Sequence, residues 1–393
     1  MPNIDSNTIG QNDGGQLRHS PTKIHVELYK PLIGHKQGIY CAIETQTGLF
    51  TAGGEGAIVR WTWSQLANNE EPAGELWATI PEPIFCLATQ EDTTVLAGTQ
   101  KGNIYRLSRD RGPLTIKVDS QSVYFIRWWK DLYWVGTGSG KLAIFDRDLK
   151  LVEWLQLASK SLRSMEIFED SAWIGCSDSN IYRLSINSSN PASVPNSSVE
   201  SHTDSSSEVI QTNSRTAIIN VPESREWSLT INQWSANHPS VFGIVALGHN
   251  KIVSVGRDAH VRLFSDTQLK LAVPAHLGTI HGLSSHPRLP WFATGSMDKS
   301  IKIWRWNSAE AEGDTIDLIK VINREKFAGT MGHSHSVNAV LWISPAGQDL
   351  LLKSMDLTNS SESINDHQHK SMGSFLLSVG DDRQGLLWFI KEF

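Results

Sequence analysis

Four times along the chain a histidine, a hydroxyl residue and an acid recur in the same order. His276, Thr294 and Asp298 form one set, and His333, Ser378 and Asp382 another. His35, Thr51 and Glu55 form a third, with Glu in place of Asp, and His238, Ser254 and Asp258 a fourth. On paper each set holds the residue types of an acyl-transfer triad: a nucleophile, an imidazole base and a carboxylate that orients it. The recurrence argues against that chemistry. A catalytic site does not come in near-identical copies, and a nucleophile must face a pocket with an oxyanion site. No catalytic residue is therefore expected.

Two other groups could do chemistry. His367 and His369, in Asp366-His367-Gln368-His369, have the spacing of paired metal ligands, as do His333 and His335. Each pair lacks a rigid second pair, so no metal is expected. Gly136-Thr137-Gly138-Ser139-Gly140 looks like a phosphate-binding loop. It precedes a strand rather than a helix N-terminus, so the amide cradle and helix dipole are missing and it reads as a hairpin turn. No cofactor is expected.

The elements that hold these residues are strands. In Ala275–Trp304 a His in a turn precedes a short apolar alternation at Ile280 and Leu283, and Pro287 and Pro290 mark a turn. A second strand, Trp291–Thr294, enters the tight turn Gly295-Ser296-Met297-Asp298, and Ile301–Trp304 alternates with period two. The turn-plus-strand pattern Gly-Ser-Met-Asp-Lys-Ser-Ile-Lys-Ile-Trp has echoes starting at 52, 98, 136, 175, 255 and 379, besides 295 itself. The steps are 46, 38, 39, 80, 40 and 84 residues. Four of them match a propeller blade of roughly 40–45 residues.

The two long steps must hold extra blades or insertions. Residues 186–225 are rich in Ser, Asn, Thr and Pro and contain no Gly, and 344–374 is similar after a short Leu-rich piece. Neither has the apolar residues of a blade, so both are expected to be flexible insertions. A further loop is expected at 307–315. Seven blades follow, with eight as the alternative. Residues 23–33 alternate at Ile24, Val26 and Leu28, while the chain ends one strand short after Trp388-Phe389-Ile390. The N-terminal strand is expected to complete the last blade and close the ring, which removes exposed sheet edges.

These repeats resemble the WD40 family, from about Ile24 to Phe393, and the chain looks like a stand-alone propeller of bacterial type. The expected fold class is all-β, a seven-bladed WD40-type propeller in a single domain over 23–393. The resemblance implies a buried hydrogen-bond set of His, Ser/Thr, Asp and Trp in each blade. That assigns structural roles to His276, Thr294, Asp298 and Trp304, to His333, Ser378, Asp382 and Trp388, and to His35, Thr51, Glu55 and Trp61. It also assigns His238, Ser254 and Asp258, followed by Phe264, which has no N–H to donate. The second, third and fourth repeats lack the set (Ala97, Lys101 and Leu107, for example), so those blades are expected to rely on apolar packing alone.

Composition agrees with one globular unit. Of 393 residues, 39% are hydrophobic and 19% charged, with fifteen Trp and a net charge of −6. No Lys/Arg run is present, which disfavours nucleic-acid binding. Cys41, Cys86 and Cys176 are odd in number and fall in expected strands, as small core residues of a reducing compartment. Met1–Thr22 is polar, with no signal-peptide core, and is expected to be a disordered tail. No stretch approaches the roughly 20 apolar residues of a membrane span. A cytoplasmic monomer with no membrane or nucleic-acid partner is expected.

The resemblance also implies a partner face. The exposed residue directly after the first apolar residue of each blade's first strand would line the rim. By that rule the positions are Tyr40, Phe85, Tyr124, Arg163, Phe242, His281 and Asn338, with Arg257, Met297 and Asp381 from neighbouring turns. Aromatics and Arg are the types enriched at interaction hot spots. The implied function is a non-enzymatic scaffold that binds a peptide or protein. The alternative is a propeller enzyme of hydrolase or lactonase type with a site in the central channel, and a third possibility is a structural part of a larger assembly.

Overall fold

The computed structural model describes residues 24–68, 72–91, 93–187, 213–221, 225–236, 238–248, 250–309, 313–324, 332–359 and 373–392. Within these, seven separate antiparallel sheets form, six of them from consecutive strands. The seventh is closed by the N-terminal strand Ile24–Ile33, which pairs with the C-terminal strand Gln384–Glu392 from Ile24↔Glu392 to Ile33↔Gln384. The ring is thus fastened by its two ends, as the orphan strand and the missing strand together require.

Burial explains the strand order within each blade. The second strands, such as Thr94–Thr99, Leu132–Thr137 and Trp291–Ser296, are buried at every position. They lie mid-blade, covered on both faces by the neighbouring blades. The outermost strands alternate, as in Leu151–Gln156, because one face meets solvent. The turn between second and third strands needs one left-handed residue in every blade. Gly56, Gly102 and Gly140 take it in the first three; Ser179, Ala259, Lys299 and Arg383 take it in the rest. At Gly140 a Cβ would also sit 2.1 Å from the Ala158 carbonyl oxygen. The Gly136–Gly140 stretch is therefore a hairpin turn.

Both long steps hold structure that composition concealed. Within 186–225, expected to be wholly flexible, Asn213–Val221 is a strand that pairs along its length with Arg225–Ser235 and gives the fourth blade a fifth strand. A short alternation hidden in the polar run drives this: Ile219 is fully buried and Ala217 packs on the same core. Arg215 ties the strand to the third blade by donating to the Leu157 carbonyl at 3.0 Å. Residues 188–212 and 222–224 of that stretch lie outside the described residues, as does the expected tail at 1–22. Within 344–374, Pro345–Asn359 is a helix rather than a flexible insertion, and residues 360–372 of that stretch lie outside the described residues. Pro starts it, the Ser344 hydroxyl accepts from the Gly347 N–H, and Leu351 is buried against the first and last blades. The expected loop at 307–315 is mostly hairpin, with Asn307↔Thr315 and Ala309↔Gly313 paired.

The first strand of each blade lines the central channel. These strands are Ile39–Thr45, Ile84–Glu91, Val123–Trp129, Leu162–Phe168, Val241–Gly248, Ile280–Ser285 and Val337–Trp342. Polar side chains stitch neighbouring inner strands together. Glu166 accepts from the Ala246 amide at 3.3 Å, Ser284 from the Trp342 amide at 3.1 Å, and Glu44 from the Ser344 amide at 2.7 Å. Arg127 donates to the Met165 carbonyl at 3.2 Å.

Candidate functional site

All seven inner strands share one irregularity. The pairing with the second strand skips a residue between Ile39 and Cys41, Ile84 and Cys86, and Val123 and Phe125. It skips again between Leu162 and Ser164, Val241 and Gly243, Ile280 and Gly282, and Val337 and Ala339. The skipped residues are Tyr40, Phe85, Tyr124, Arg163, Phe242, His281 and Asn338. A β-bulge leaves its extra residue unpaired and re-aims its side chain. Here each one turns toward the channel, and all seven line a single cavity of about 550 Å³.

Their side chains touch in sequence around the mouth. The Tyr40 and Phe85 rings meet edge to face at 5.8 Å, and Phe85 stacks on Tyr124 at 5.6 Å. The Arg163 guanidinium lies 4.0 Å from the Tyr124 ring centre and 4.6 Å from that of Phe242, so aromatic rings flank it on two sides. Phe242 then stacks on His281 at 5.5 Å. On the far side Asn338 donates to the Ile39 carbonyl at 2.9 Å and to Asp381 at 2.7 Å, which joins the last blade to the first beside Tyr40. Of the other expected rim residues, Arg257, Met297 and Asp381 are exposed in the adjoining turns. Leu277, which sequence reasoning missed, is 98% exposed beside them, in the loop that packs Gly278 against Met297. A lone Leu in a polar turn carries no periodicity to mark it.

The mouth carries opposed charges. Burial lowers the pKa of Arg163, and the nearby charge of Arg257 pushes the same way. Burial and Arg163 both lower His281, while Asp381 raises it. Burial and Asp381 together raise Tyr40. Deeper in the channel, burial pushes the Glu166 carboxyl up to about 7 despite the Arg127 charge. Arg127 and Glu166 hold equivalent positions in the adjacent inner strands Val123–Trp129 and Leu162–Phe168.

The four triad-like sets form chains inside single blades. In the sixth, the Trp304 indole donates to Thr294 Oγ1 at 2.9 Å, Thr294 lies 2.7 Å from His276 Nε2, and His276 Nδ1 is 2.9 Å from Asp298. Asp298 also accepts from the Leu277 and Ser300 amides. The first and seventh blades repeat this, with Trp61–Thr51 and Trp388–Ser378 both at 2.9 Å, His35–Glu55 at 2.7 Å and His333–Asp382 at 2.9 Å. In the fifth, His238 meets Ser254 and Asp258, and Arg262 adds an ion pair to Asp258 at 2.7 Å in a blade where Phe264 supplies no indole. Asp298 can only accept, so His276 Nδ1 carries a hydrogen, and in the neutral imidazole Nε2 is then free to accept from the Thr294 hydroxyl. Burial accordingly lowers the pKa of His276, His238 and His35. In the first, sixth and seventh blades the hydroxyl is fully buried and held between the indole and the imidazole of its own blade.

The expectation that blades two to four rely on apolar packing alone is wrong. Glu82, only 6% exposed, accepts from Thr99, Asn103 and Tyr105 at 2.7, 2.6 and 2.7 Å. Asp119 takes the place of the histidine in the third blade and accepts from the Ser139 hydroxyl and the Ser120 amide. In the fourth, Tyr182 donates to Asp178 at 2.6 Å. The carboxylate of the second and third blades sits before the first strand, with donors in the turn, which inverts the order of the other set. A search that expects His first and Asp last cannot find it.

Among the described residues no group of three or more His, Cys, Asp or Glu could hold a metal ion. His335 Nδ1 pairs with the Ser334 hydroxyl at 2.9 Å, and His367 and His369 lie outside the described residues. The three cysteines are buried and unpaired.

Similar proteins extend this picture. The family model described as WD domain, G-beta repeat matches residues 267–305. A ribosome biogenesis protein WDR12 homolog of Oryza sativa subsp. japonica is 26% identical over 165 residues, 35% of this chain and 37% of the relative. The nuclear distribution protein PAC1 of Arthroderma otae is 29% identical over 173 residues, 30% of this chain and 38% of the relative. The chain thus spans well under half the length of these curated relatives. Both are eukaryotic, so the expected bacterial type finds no support. Among solved structures, the WD40 β-propeller domain of Doa1 superposes with a TM-score of 0.61 at 12% identity, over 92% of this chain and 96% of that one. The chain is a seven-bladed β-propeller of the WD40 type, closed by its N-terminal strand.

Proposed function

We propose that this propeller is a non-enzymatic interaction scaffold. It binds an extended peptide or protein loop across the channel mouth, with the ring aromatics as anchors and Arg163 and Arg257 selecting an acidic group. The continuous contact from Tyr40 to His281 supports this most directly, because it presents rigid aromatic surface already ordered before any partner arrives. In this role the chain acts as a cytoplasmic monomer. Affinity capture from native lysate, followed by mass spectrometry, identifies the partner. Tyr124→Ala with Phe242→Ala removes both rings that flank Arg163 and is expected to lose it with an unchanged circular dichroism spectrum. Retained capture by the folded double variant moves the site away from this face.

A further inference from the structure

The ring of side chains at the mouth is not uniform in charge. In a ring of seven, the point opposite the first blade falls between the fourth and fifth. Arg163 stands on the inner strand of the fourth blade and Arg257 in a turn of the fifth, close enough for each charge to be felt by the other. Asp381 stands in the last blade, bonded to Asn338 and in contact range of Gly38 and Tyr40 of the first. Arg163 and the acid therefore stand on opposite sides of the ring, with Arg257 between them at the border of the fifth and sixth blades.

Among the described residues, no ion pair engages Arg163, Arg257 or Asp381 (Arg262, by contrast, is paired with Asp258). Rings flank Arg163 and the Tyr124 hydroxyl takes one side-chain hydrogen bond from it, which leaves the remaining guanidinium N–H groups to meet an anion. Two like charges held together, with no counter-ion among the described residues, favour an incoming carboxylate. Asp381 is exposed and among the described residues accepts from the Asn338 side-chain amide alone, so it retains acceptor capacity for a cation. Between the poles run two aromatic arcs, Tyr40–Phe85–Tyr124 on one side and Phe242–His281 on the other. They offer ring faces and edges to a backbone or an aliphatic stem crossing the mouth.

We propose that the mouth is a two-pole receptor for an extended segment that sets an acidic side chain on Arg163 and Arg257 and a basic side chain, several residues away, on Asp381. This rests on the scaffold reading above and gives it a ligand chemistry and an orientation. A segment with one sign of charge satisfies one pole and is repelled by the other.

Fluorescence anisotropy on the full chain tests this with acetylated and amidated synthetic peptides, so that only side chains carry charge. The panel holds acid–spacer–base, acid–spacer–acid, base–spacer–base and neutral peptides with varied spacers. The acid–base class at its best spacer is expected to bind at least about tenfold tighter than each other class. Asp381→Lys should shift that preference to acid–spacer–acid, and Arg257→Glu to base–spacer–base. Both substitutions are on exposed turns, so the fold survives them. Equal binding by all classes, no binding by any, or an unchanged preference in both variants overturns the proposal. If the lysate partner is lost on Tyr124→Ala plus Phe242→Ala but ignores Asp381→Lys and Arg257→Glu, the scaffold reading stands and the two-pole receptor falls.

Discussion

The guanidinium carbon of Arg163 lies 4.0 Å from the centre of the Tyr124 ring, although the two residues belong to different blades. A flat, delocalised cation suits this place because its faces can lie against rings while its edge keeps its donors. Lys cannot do both. Arg163→Lys is expected to lower stability by about 1 kcal/mol in urea unfolding. An unchanged midpoint with an unchanged slope would mean the stack contributes nothing to holding blades three to five together.

The inverted polar set of the second blade makes a sharper test. Asp298→Ala strips the acceptor from His276 and two turn amides, and should destabilise by about 1–3 kcal/mol. Glu82→Ala should cost a similar amount, about 1–3 kcal/mol, because Thr99, Asn103 and Tyr105 all lose their acceptor. Lys101→Ala, at the turn position where an Asp would stand, should stay within about 0.5 kcal/mol. Matched thermal melts of the three variants check the order. A neutral Glu82→Ala would show that the second blade is held by apolar contacts after all.

Acid should weaken the junction of the sixth and seventh blades first. His286 is buried between Trp291 and Trp342, accepts the Arg288 and Leu289 amides on Nδ1 at 3.0 Å each, and pairs with Ser374 at 2.9 Å. Burial, with help from Arg288, holds its pKa down to about 4, against 6.5 for a free imidazole. The unfolded chain therefore binds the proton more tightly between those values. The neutral histidine's contribution is complete above pH 6.5 and is lost as pH falls toward about 4. His276, His238 and His35 are shifted the same way and add to the slope. Over that window His286 alone accounts for on the order of 3 kcal/mol. Stability against pH should be visibly shallower in His286→Gln; parallel curves would remove His286 from the acid response.

Ring closure predicts a threshold in N-terminal truncation. A chain that begins at Lys23 keeps Ile24–Ile33 and should melt like the full chain. One that begins at Gly34 leaves Gln384–Glu392 without its outer partner and uncovers Leu32's place in the core. It should lose more than about 4 kcal/mol or fail to fold. Equal melting temperatures for the two would contradict closure by the N-terminal strand.

Local alternation and turn residues wrote the blades plainly. Gly295-Ser296-Met297-Asp298 before Ile301–Trp304 already contains a tight turn and a two-sided strand, and its spacing recurs because each blade must bury the same faces. Ile24, Val26 and Leu28 likewise announced a strand, since period-two burial is a property of the segment itself. The rim column was also legible, because each residue follows a buried apolar one at the strand start. What Asn213–Val221 and Pro345–Asn359 would form was not, since Ile219 and Leu351 become core only once a neighbouring blade arrives to cover them. The Glu82 set escaped for the same reason, as its three donors converge only when the turn folds over the strand. Tertiary structure alone decided that Arg163 lies between Tyr124 and Phe242 and opposite Asp381. Residues 39 and 79 positions apart in sequence meet because the inner strands of consecutive blades pack side by side, and Asp381 stands across the ring because the ends of the chain pair and close it.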